Sequence, residues 1–291
     1  MGLMEIIETH AHLDYPEFDI DRDAVLQRAS ENHVKTLISI GTKLESSQRA
    51  VALAEKYPQV FAVVGWHPTD VDAAPDDVNP LLRPLALHPK VVAIGETGLD
   101  YHRLPSRELG GPSDDQSAAT GEPNEVDLQK SKLDKRYKER QEILFRQQLE
   151  LASGLGLNVV VHQRDAFDDC LRIMTEYAGK TRGVWHCFVN DPEHAKKVIA
   201  IGSSISFTGI ITFKNAQTIV ETVKATPLKS IMVETDCPYL APVPFRGKRA
   251  EPWHTRLVVE KIAEIKGITP EEVARVTTEN AHQFFKFNRT P

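Results

Sequence analysis

The chain has 291 residues, of which 41% are hydrophobic and 26% are charged, and its formal net charge is −6. This length and composition are typical of a globular protein with a large core, and the charge excludes a broad basic face that would wrap duplex DNA. The three cysteines, Cys170, Cys187 and Cys237, are too far apart for a CxxC pair and too few for a disulfide framework.

Neither a basic leader followed by an apolar region nor an apolar run of membrane-spanning length occurs in the chain. We therefore expect a protein of the cytoplasm that does not associate with membranes. No feature of the sequence indicates an obligate protein partner.

Eight apolar segments rich in β-branched residues are predicted to be strands, and they span 4–12, 34–42, 60–68, 91–99, 158–164, 183–188, 203–209 and 230–236. Several of them, such as "VVV" at 159–161, are apolar without alternation, which is typical of parallel strands covered on both faces. Amphipathic segments between and after the strands predict helices, which include 21–33, 44–57, 136–156, 191–202, 251–267 and 269–285.

Strands that alternate with helices through the whole chain predict an α/β protein, a (β/α)8 TIM barrel formed as one domain by residues 1–291. The alternative is a doubly wound open sheet, which would usually have fewer strands.

One segment interrupts the alternation. Residues 103–136 contain Gly-Gly, several prolines and many small polar residues, which is the composition of a loop or a disordered segment. This long polar insert follows strand four, so it should lie at the C-terminal rim of the barrel. It is either a solvated insertion without a catalytic role or a lid over the site.

Chemically active side chains recur where the predicted strands end, and in a TIM barrel that end carries the active site. "THAHLD" at 9–14 places two histidines two residues apart, so both face the same side of a strand. The complete set of such residues is His10, His12, His67, Glu96, His162, His186 and Asp236. Any one of them could be an ordinary packed or salt-bridged residue, but their joint occurrence at one end of one barrel is hard to explain by chance.

Four of these imidazoles and the two carboxylates form a ligand set for two divalent metal ions, for which Zn, Mn and Mg are the candidates. Glu96 is suited to bridge the two ions. Asp236 can bind one ion and also accept the proton of the attacking water, so both carboxylates are candidate catalytic residues. The chain contains no Gly-rich phosphate loop and no spacing that indicates a catalytic triad.

The motifs "ETHAHLD", "GWHP", "GETGLDY", "VHQRDA", "WHCF" and "ETDCPYLAPVPFRGKRAEP" resemble, in this order, those of the TatD family of metal-dependent deoxyribonucleases. The resemblance implies a TIM barrel of the amidohydrolase superfamily that hydrolyses phosphodiester bonds in DNA. It implies metal ligation by His10, His12, Glu96, His162, His186 and Asp236, and a substrate cleft that includes His67, Arg164 and Arg246. The asparagine of the family's last helix is matched by Asn280, whereas Phe245 and Ala250 depart from the usual pattern.

Three functions are therefore considered. The first is a two-metal nuclease that trims single-stranded DNA or DNA ends, with Arg246, Lys248 and Arg249 on phosphates, although "RGKR" could also be a solvated basic loop. The second is a hydrolase of a small ester, amide or lactone, since fold and metals alone do not separate these substrates. The third, a metal-dependent scaffold without activity, is the least expected because the ligand set is complete.

Overall fold

A computed structural model describes residues 4–108 and 125–287 and contains one sheet of eight parallel strands in the order β1 to β8. The strands are β1 (Ile6–Ala11), β2 (Val34–Ile40), β3 (Val60–Val64), β4 (Val91–Asp100), β5 (Val159–Arg164), β6 (Gly183–Trp185), β7 (Ser204–Phe207) and β8 (Ile231–Val233). Each strand pairs with the next one along the chain, as Leu37 does with Val60. The predicted strands are thus all present.

The sheet closes between its first and last strands. Ala11 and Cys237 form a parallel bridge, and the Asp236 amide donates to the carbonyl oxygen of His10 over 3.0 Å. The architecture is therefore a (β/α)8 TIM barrel, as the sequence predicts, and not an open doubly wound sheet.

Helices surround the barrel. They are α1 (Arg22–Glu31), α2 (Leu44–Lys56), α3 (Asn79–Ala86), α4 (Pro105–Glu108), α5 (Glu125–Leu155), α6 (Phe167–Glu176), α7 (Pro192–Ala200), α8 (Gln217–Ala225), α9 (Thr255–Lys266) and α10 (Pro270–Phe284). Asp191 caps α7 by accepting from the His194 amide, as its place before a proline predicts. In the described part of the chain, no helix combines the length and the apolar character needed to cross a bilayer.

The strands divide the core into two layers. Ile6, Leu37 and Val159 belong to the larger layer, whereas their neighbours Ile7, Ile38 and Val160 belong to a second cluster. Because successive side chains of a strand point to opposite faces, the second cluster fills the barrel interior and the first packs beneath the helices. Phe284 and Phe285 join the interior cluster and close the N-terminal end of the barrel.

The insert differs from its prediction. Its C-terminal third, residues 125–136, is the beginning of α5, and 105–108 form the short α4, so the prediction of loop or disorder is wrong for these residues. The sequence "EVDLQKSKLDKR" is rich in strong helix formers and continues directly into the amphipathic part of α5. Asp134 accepts from Ser106 of α4, so this part of the helix is tied to α4 although most of its side chains are exposed. The rest of the insert, 109–124, lies outside the described residues.

Candidate metal centre

The candidate ligands converge at the C-terminal ends of the strands. His10 lies in β1, Glu96 in β4 and His162 in β5, while His12 and His186 directly follow β1 and β6. Asp236 follows β8 by three residues. His10 and Glu96 are almost completely buried, at 0% and 3% exposure. The structure therefore brings together residues that are up to 226 positions apart in the sequence.

Glu96 lies at the centre of this cluster, and its two oxygens face different histidines. Oε2 is 3.4 Å from His10 Nε2 and 3.8 Å from His12 Nε2. Oε1 is 2.8 Å from His162 Nδ1 and 2.7 Å from His186 Nε2. One carboxylate thus connects two groups of imidazoles.

Asp236 belongs to the first group. Its Oδ1 lies 3.6 Å from His10 Nε2 and 3.3 Å from His12 Nε2. Asp236 adopts a positive φ of 61°, which is uncommon for a residue other than glycine and is found often at functional sites. The hydrogen bond from its amide to His10 holds it against β1 at the seam of the barrel.

His67 is closer to the cluster than a substrate-lining position requires. Its Nε2 lies 3.4 Å from Glu96 Oε1, and its ring contacts that of His162 with centroids 4.3 Å apart. His67, Glu96 and His162 have ligand atoms close enough together to hold a metal ion. His67 can therefore reach either substrate or an ion.

Neighbouring acceptors orient three of the imidazoles. His162 Nε2 lies 3.2 Å from Asp100 Oδ2, which leaves Nδ1 to face Glu96. His12 Nδ1 lies 3.3 Å from the carbonyl oxygen of Ile40, and His186 Nδ1 lies 3.6 Å from Glu234 Oε1. An acceptor on one ring nitrogen selects the tautomer whose other nitrogen has a free lone pair, as metal ligation requires.

Asp100 and Glu234 were not identified from the sequence. Asp100 is 1% exposed and accepts from the amides of His102 and Arg103, so its carboxylate is held firmly in place. Burial opposes its ionisation, but the hydrogen bond with His162 outweighs burial and lowers the pKa of Asp100 to about 2. Asp100 lies in "GLDY" and Glu234 in "ETD", each close in sequence to a candidate ligand, and this position is the signal that could have indicated them.

The charge states of Glu96 and His10 favour ligation. Burial by itself would raise the pKa of Glu96, but the imidazoles of His186, His67 and His10 outweigh it and hold that pKa well below its usual range. Burial, helped by repulsion from His186, lowers the pKa of His10. Glu96 is therefore a carboxylate and His10 a neutral imidazole near neutral pH, which are the forms that bind a metal ion.

Unsatisfied atoms support the same conclusion. Both ring nitrogens of His10 are buried without a hydrogen-bond partner. Buried polar atoms are rarely left in this state, so these nitrogens have room for a further partner. Imidazole nitrogens with carboxylate oxygens suit Zn and other divalent transition ions, and the donor set present fits a metal.

A glycine permits the strands to approach at this point. Gly98 adopts a φ of +146°, and a Cβ there would lie 2.0 Å from the carbonyl oxygen of His162. No residue with a side chain could occupy the position without moving β5 away from Glu96.

The cluster lies at the base of a cleft of about 820 Å³. Arg164 lines this cleft, and so does Arg103, which sequence reasoning missed. Arg246 is placed differently: its guanidinium stacks on the Phe213 ring at 3.6 Å, and it is not among the residues that line the cleft.

The basic loop is also only partly available for substrate. Arg249 forms ion pairs with Asp21 and Glu251 at 2.7 and 3.0 Å, so its expected phosphate contact would require these pairs to break. Lys248 is exposed. The prediction of three phosphate-binding residues in "RGKR" therefore has no structural support at Arg249 and Arg246.

Comparison with known proteins agrees with this geometry. The TatD-related DNase family matches residues 7–286. The chain is 37% identical over 285 residues to the metal-dependent hydrolase YabD of Bacillus subtilis, covering 97% of this chain and 100% of that protein. It is 36% identical over 286 residues to the metal-dependent hydrolase YcfH of Escherichia coli K12, covering 97% and 96%.

A solved structure extends the agreement to three dimensions. YJJV, a TatD homolog from Escherichia coli K12, superposes with a TM-score of 0.80 at 27% identity and covers 100% of both chains. The eight-stranded barrel, the buried histidine–carboxylate cluster and these similarities lead to one conclusion. The chain belongs to the TatD-related DNase family and is a metal-dependent hydrolase.

Proposed function

We propose that the protein hydrolyses phosphodiester bonds of DNA with two divalent metal ions and removes nucleotides from strand ends. The observation that carries the proposal is the position of Glu96, whose two oxygens face two separate groups of imidazoles at the base of the cleft. Arg164 and Arg103 line the same cleft and supply cations for the phosphates of a substrate.

The residues divide naturally between two ions. His10, His12 and Asp236 with Oε2 of Glu96 would hold one ion, and His162 and His186 with Oε1 of Glu96 would hold the other. Such ions, of which Zn, Mg and Mn are the candidates, would acidify a water molecule and neutralise charge on the phosphate. His67, on the same oxygen of Glu96, is placed to contact the substrate phosphate or to complete the second group.

Asp236 is the proposed proton acceptor. Burial would raise its pKa, but His12, His10 and His186 outweigh burial and lower it, so the side chain is ionised near neutral pH. It is more exposed than Glu96, at 16% against 4% of the side chain, and it lines the cleft. Glu96, in contact with both groups of histidines, is better suited to hold metal than to exchange protons with solvent.

The shape and charge of the site favour a short stretch of one strand. A cleft of about 820 Å³ is large enough for about one or two nucleotides but not for continuous duplex. The net charge of −6 favours a small number of phosphate contacts. The unpaired cysteines suit the reducing cytoplasm, where we place the protein, acting without an obligate protein partner.

The test is a substrate panel with metal-loaded enzyme. Single-stranded DNA labelled at either end, RNA of the same sequence, a simple phosphodiester and a lactone are compared by kcat/KM. We expect DNA to be shortened progressively from one end. Turnover of the lactone or of another carboxylic ester, with none of DNA, would instead support the alternative, a hydrolase of small esters, amides or lactones.

A pair of arginine variants sharpens the panel. Arg164→Ala should lower kcat/KM for DNA by roughly 10- to 100-fold, the loss expected when one charged hydrogen bond to phosphate is removed. Arg246→Ala serves as the matched control, because its guanidinium stacks on Phe213 instead of lining the cleft. Equal kinetics of both variants and the wild type on DNA would contradict the proposed phosphate contact.

A further inference from the structure

The lining of the cleft contains two chemically different groups of side chains besides the candidate metal ligands. One group is basic and consists of Arg103 and Arg164. The other is largely apolar and consists of Tyr15, Val189, Ile210, Tyr239 and Leu240, here called the apolar wall. Metal ligation does not account for the apolar wall.

The apolar wall exposes large side chains to solvent. Tyr239 is 51% exposed and Val189 is 47% exposed, so neither side chain is part of the core. Exposed apolar groups beside a polar catalytic centre commonly mark a surface that a ligand covers. The wall also begins at the metal centre itself, since the Tyr15 ring stacks on His12 with centroids 4.7 Å apart, and Tyr239 meets Tyr15 edge-on at 6.3 Å.

The backbone holds this wall in a defined position. The Tyr239 amide donates to the Asp236 carbonyl oxygen over 3.0 Å, and Leu240 adopts a positive φ of 57°. A Cβ on Gly209 would lie 2.5 Å from the Leu240 carbonyl oxygen, so only glycine lets the loop sit this close to the 3-10 turn at Gly209–Thr212. A rigid aromatic surface loses little entropy when a planar ligand stacks on it.

We propose that the apolar wall is a subsite for the nucleobase next to the scissile phosphate, with Tyr239 as its stacking platform. The inference rests on the proposed function, because the phosphate at the metal centre brings the base to the wall. Arg103 and Arg164, which line the same cleft, then receive the next phosphate. Stacking on an aromatic face accepts every base, so the subsite favours nucleic acid over other phosphodiesters without reading its sequence.

The test is a double-mutant cycle between enzyme and substrate. Metal-loaded wild type and Tyr239→Ala are compared on a single-stranded trinucleotide and on the same trinucleotide with an abasic residue at each position in turn. Removal of the base on one side of the scissile bond should lower wild-type kcat/KM about 5- to 100-fold. Tyr239→Ala should cause a similar loss on the intact trinucleotide, and the two losses should not add, because they remove one contact.

Two further variants and one binding measurement complete the design. Tyr239→Phe keeps the ring and should retain most of the activity, whereas Leu87→Ala, at a 54% exposed leucine that does not line the cleft, should match the wild type. The inhibition constant of a deoxynucleoside monophosphate should be lower than that of deoxyribose 5-phosphate in the wild type. This difference should shrink in Tyr239→Ala.

The outcomes separate the subsite from the function. Two results would overturn the subsite and leave the nuclease proposal standing. In the first, the losses in kcat/KM caused by Tyr239→Ala and by removal of the base are fully additive. In the second, Tyr239→Ala is equally sensitive to an abasic residue at every position of the trinucleotide. Failure of the wild type to cleave any trinucleotide would overturn both.

Discussion

At the scale of single residues, the site depends on acceptors behind the imidazoles as much as on the imidazoles themselves. Asp100 and Glu234 lie behind His162 and His186, and the Ile40 carbonyl oxygen lies behind His12. Each acceptor fixes which ring nitrogen faces the cluster. A ligand set with correct residue types but free ring orientations would bind metal less tightly.

Asp236 should be essential for turnover but not for folding. Asp236→Asn keeps the size of the side chain and one oxygen for ligation but removes the proton acceptor, so kcat should fall roughly 10²- to 10⁴-fold. Turnover of DNA and metal content are measured on the same preparation. Asp70→Asn, at another acidic residue that lines the cleft, is the matched control. A wild-type rate in Asp236→Asn with metal retained would exclude the proton-transfer role.

His254 should make stability depend on pH. Burial lowers its pKa from about 6.5 to about 4, although Glu251 partly opposes the shift. The unfolded chain therefore binds a proton more readily than the folded one, so stability is full above pH 6.5 and declines as pH falls toward 4.

Between pH 7 and pH 5 this single group should remove about 1–3 kcal/mol of the free energy of unfolding. Urea denaturation of the wild type and of His254→Gln at both pH values measures it. Gln does not titrate, so the free energy of unfolding of His254→Gln should decline less between pH 7 and pH 5 than that of the wild type. Equal declines would show that His254 is not the responsible group.

At the scale of elements, α5 connects the surface to the site. Gln141 and Gln148, both completely buried, each bond to a strand end through both atoms of the amide group. Gln141 pairs with the backbone of Asp100, and Gln148 pairs with that of Trp66, next to His67. The helix therefore positions the residues that orient or accompany Glu96.

Replacement of Gln141 should destabilise the protein through this connection. Gln141→Leu leaves the buried amide and carbonyl of Asp100 without partners, and the expected loss is about 2–4 kcal/mol. Gln129→Leu makes the same change at an exposed position of α5 and should alter the free energy of unfolding by less than about 0.5 kcal/mol. Similar urea midpoints for the two variants would contradict the positioning role.

At the scale of the whole molecule, the barrel is closed at both the seam and the base. Glu8 accepts from the amides of His10 and Thr235, and from the hydroxyl of Thr255, so it ties β1 to the chain after β8 where two candidate ligands meet. At the opposite end, Asn280 donates to the carbonyl oxygens of Leu228 and Ile231. The asparagine of the last helix thus has a structural role here.

Metal binding should stabilise the whole fold, because the ligands come from five different strand ends. Addition of Zn or Mn to metal-free protein at about 100 times its dissociation constant should contribute about 2.7 kcal/mol per site, and raise Tm by about 5 °C or more. Elemental analysis should find two ions per chain. Glu96→Gln weakens both groups of ligands, so metal addition should raise the Tm of this variant much less than that of the wild type. An unchanged Tm together with no bound metal would refute the binuclear site.

The sequence sufficed for the order and type of the elements and for the composition of the candidate site. All eight strands were predictable because apolar β-branched runs record burial on both faces. The seven site residues at strand ends were predictable because a parallel barrel brings those ends together. Their metal and substrate roles stay predictions, which the variants above address.

Only the tertiary structure could decide which contacts these residues make. Glu96 faces two groups of histidines, and Arg246 stacks on Phe213 while Arg249 pairs with Asp21, because these partners are distant in sequence and meet only when the barrel closes. The same holds for Asp100 behind His162, and for Tyr239 at the rim. The order of apolar and polar residues along the sequence indicates burial and secondary structure. The direction and the neighbours of a polar side chain depend on how the elements pack against one another.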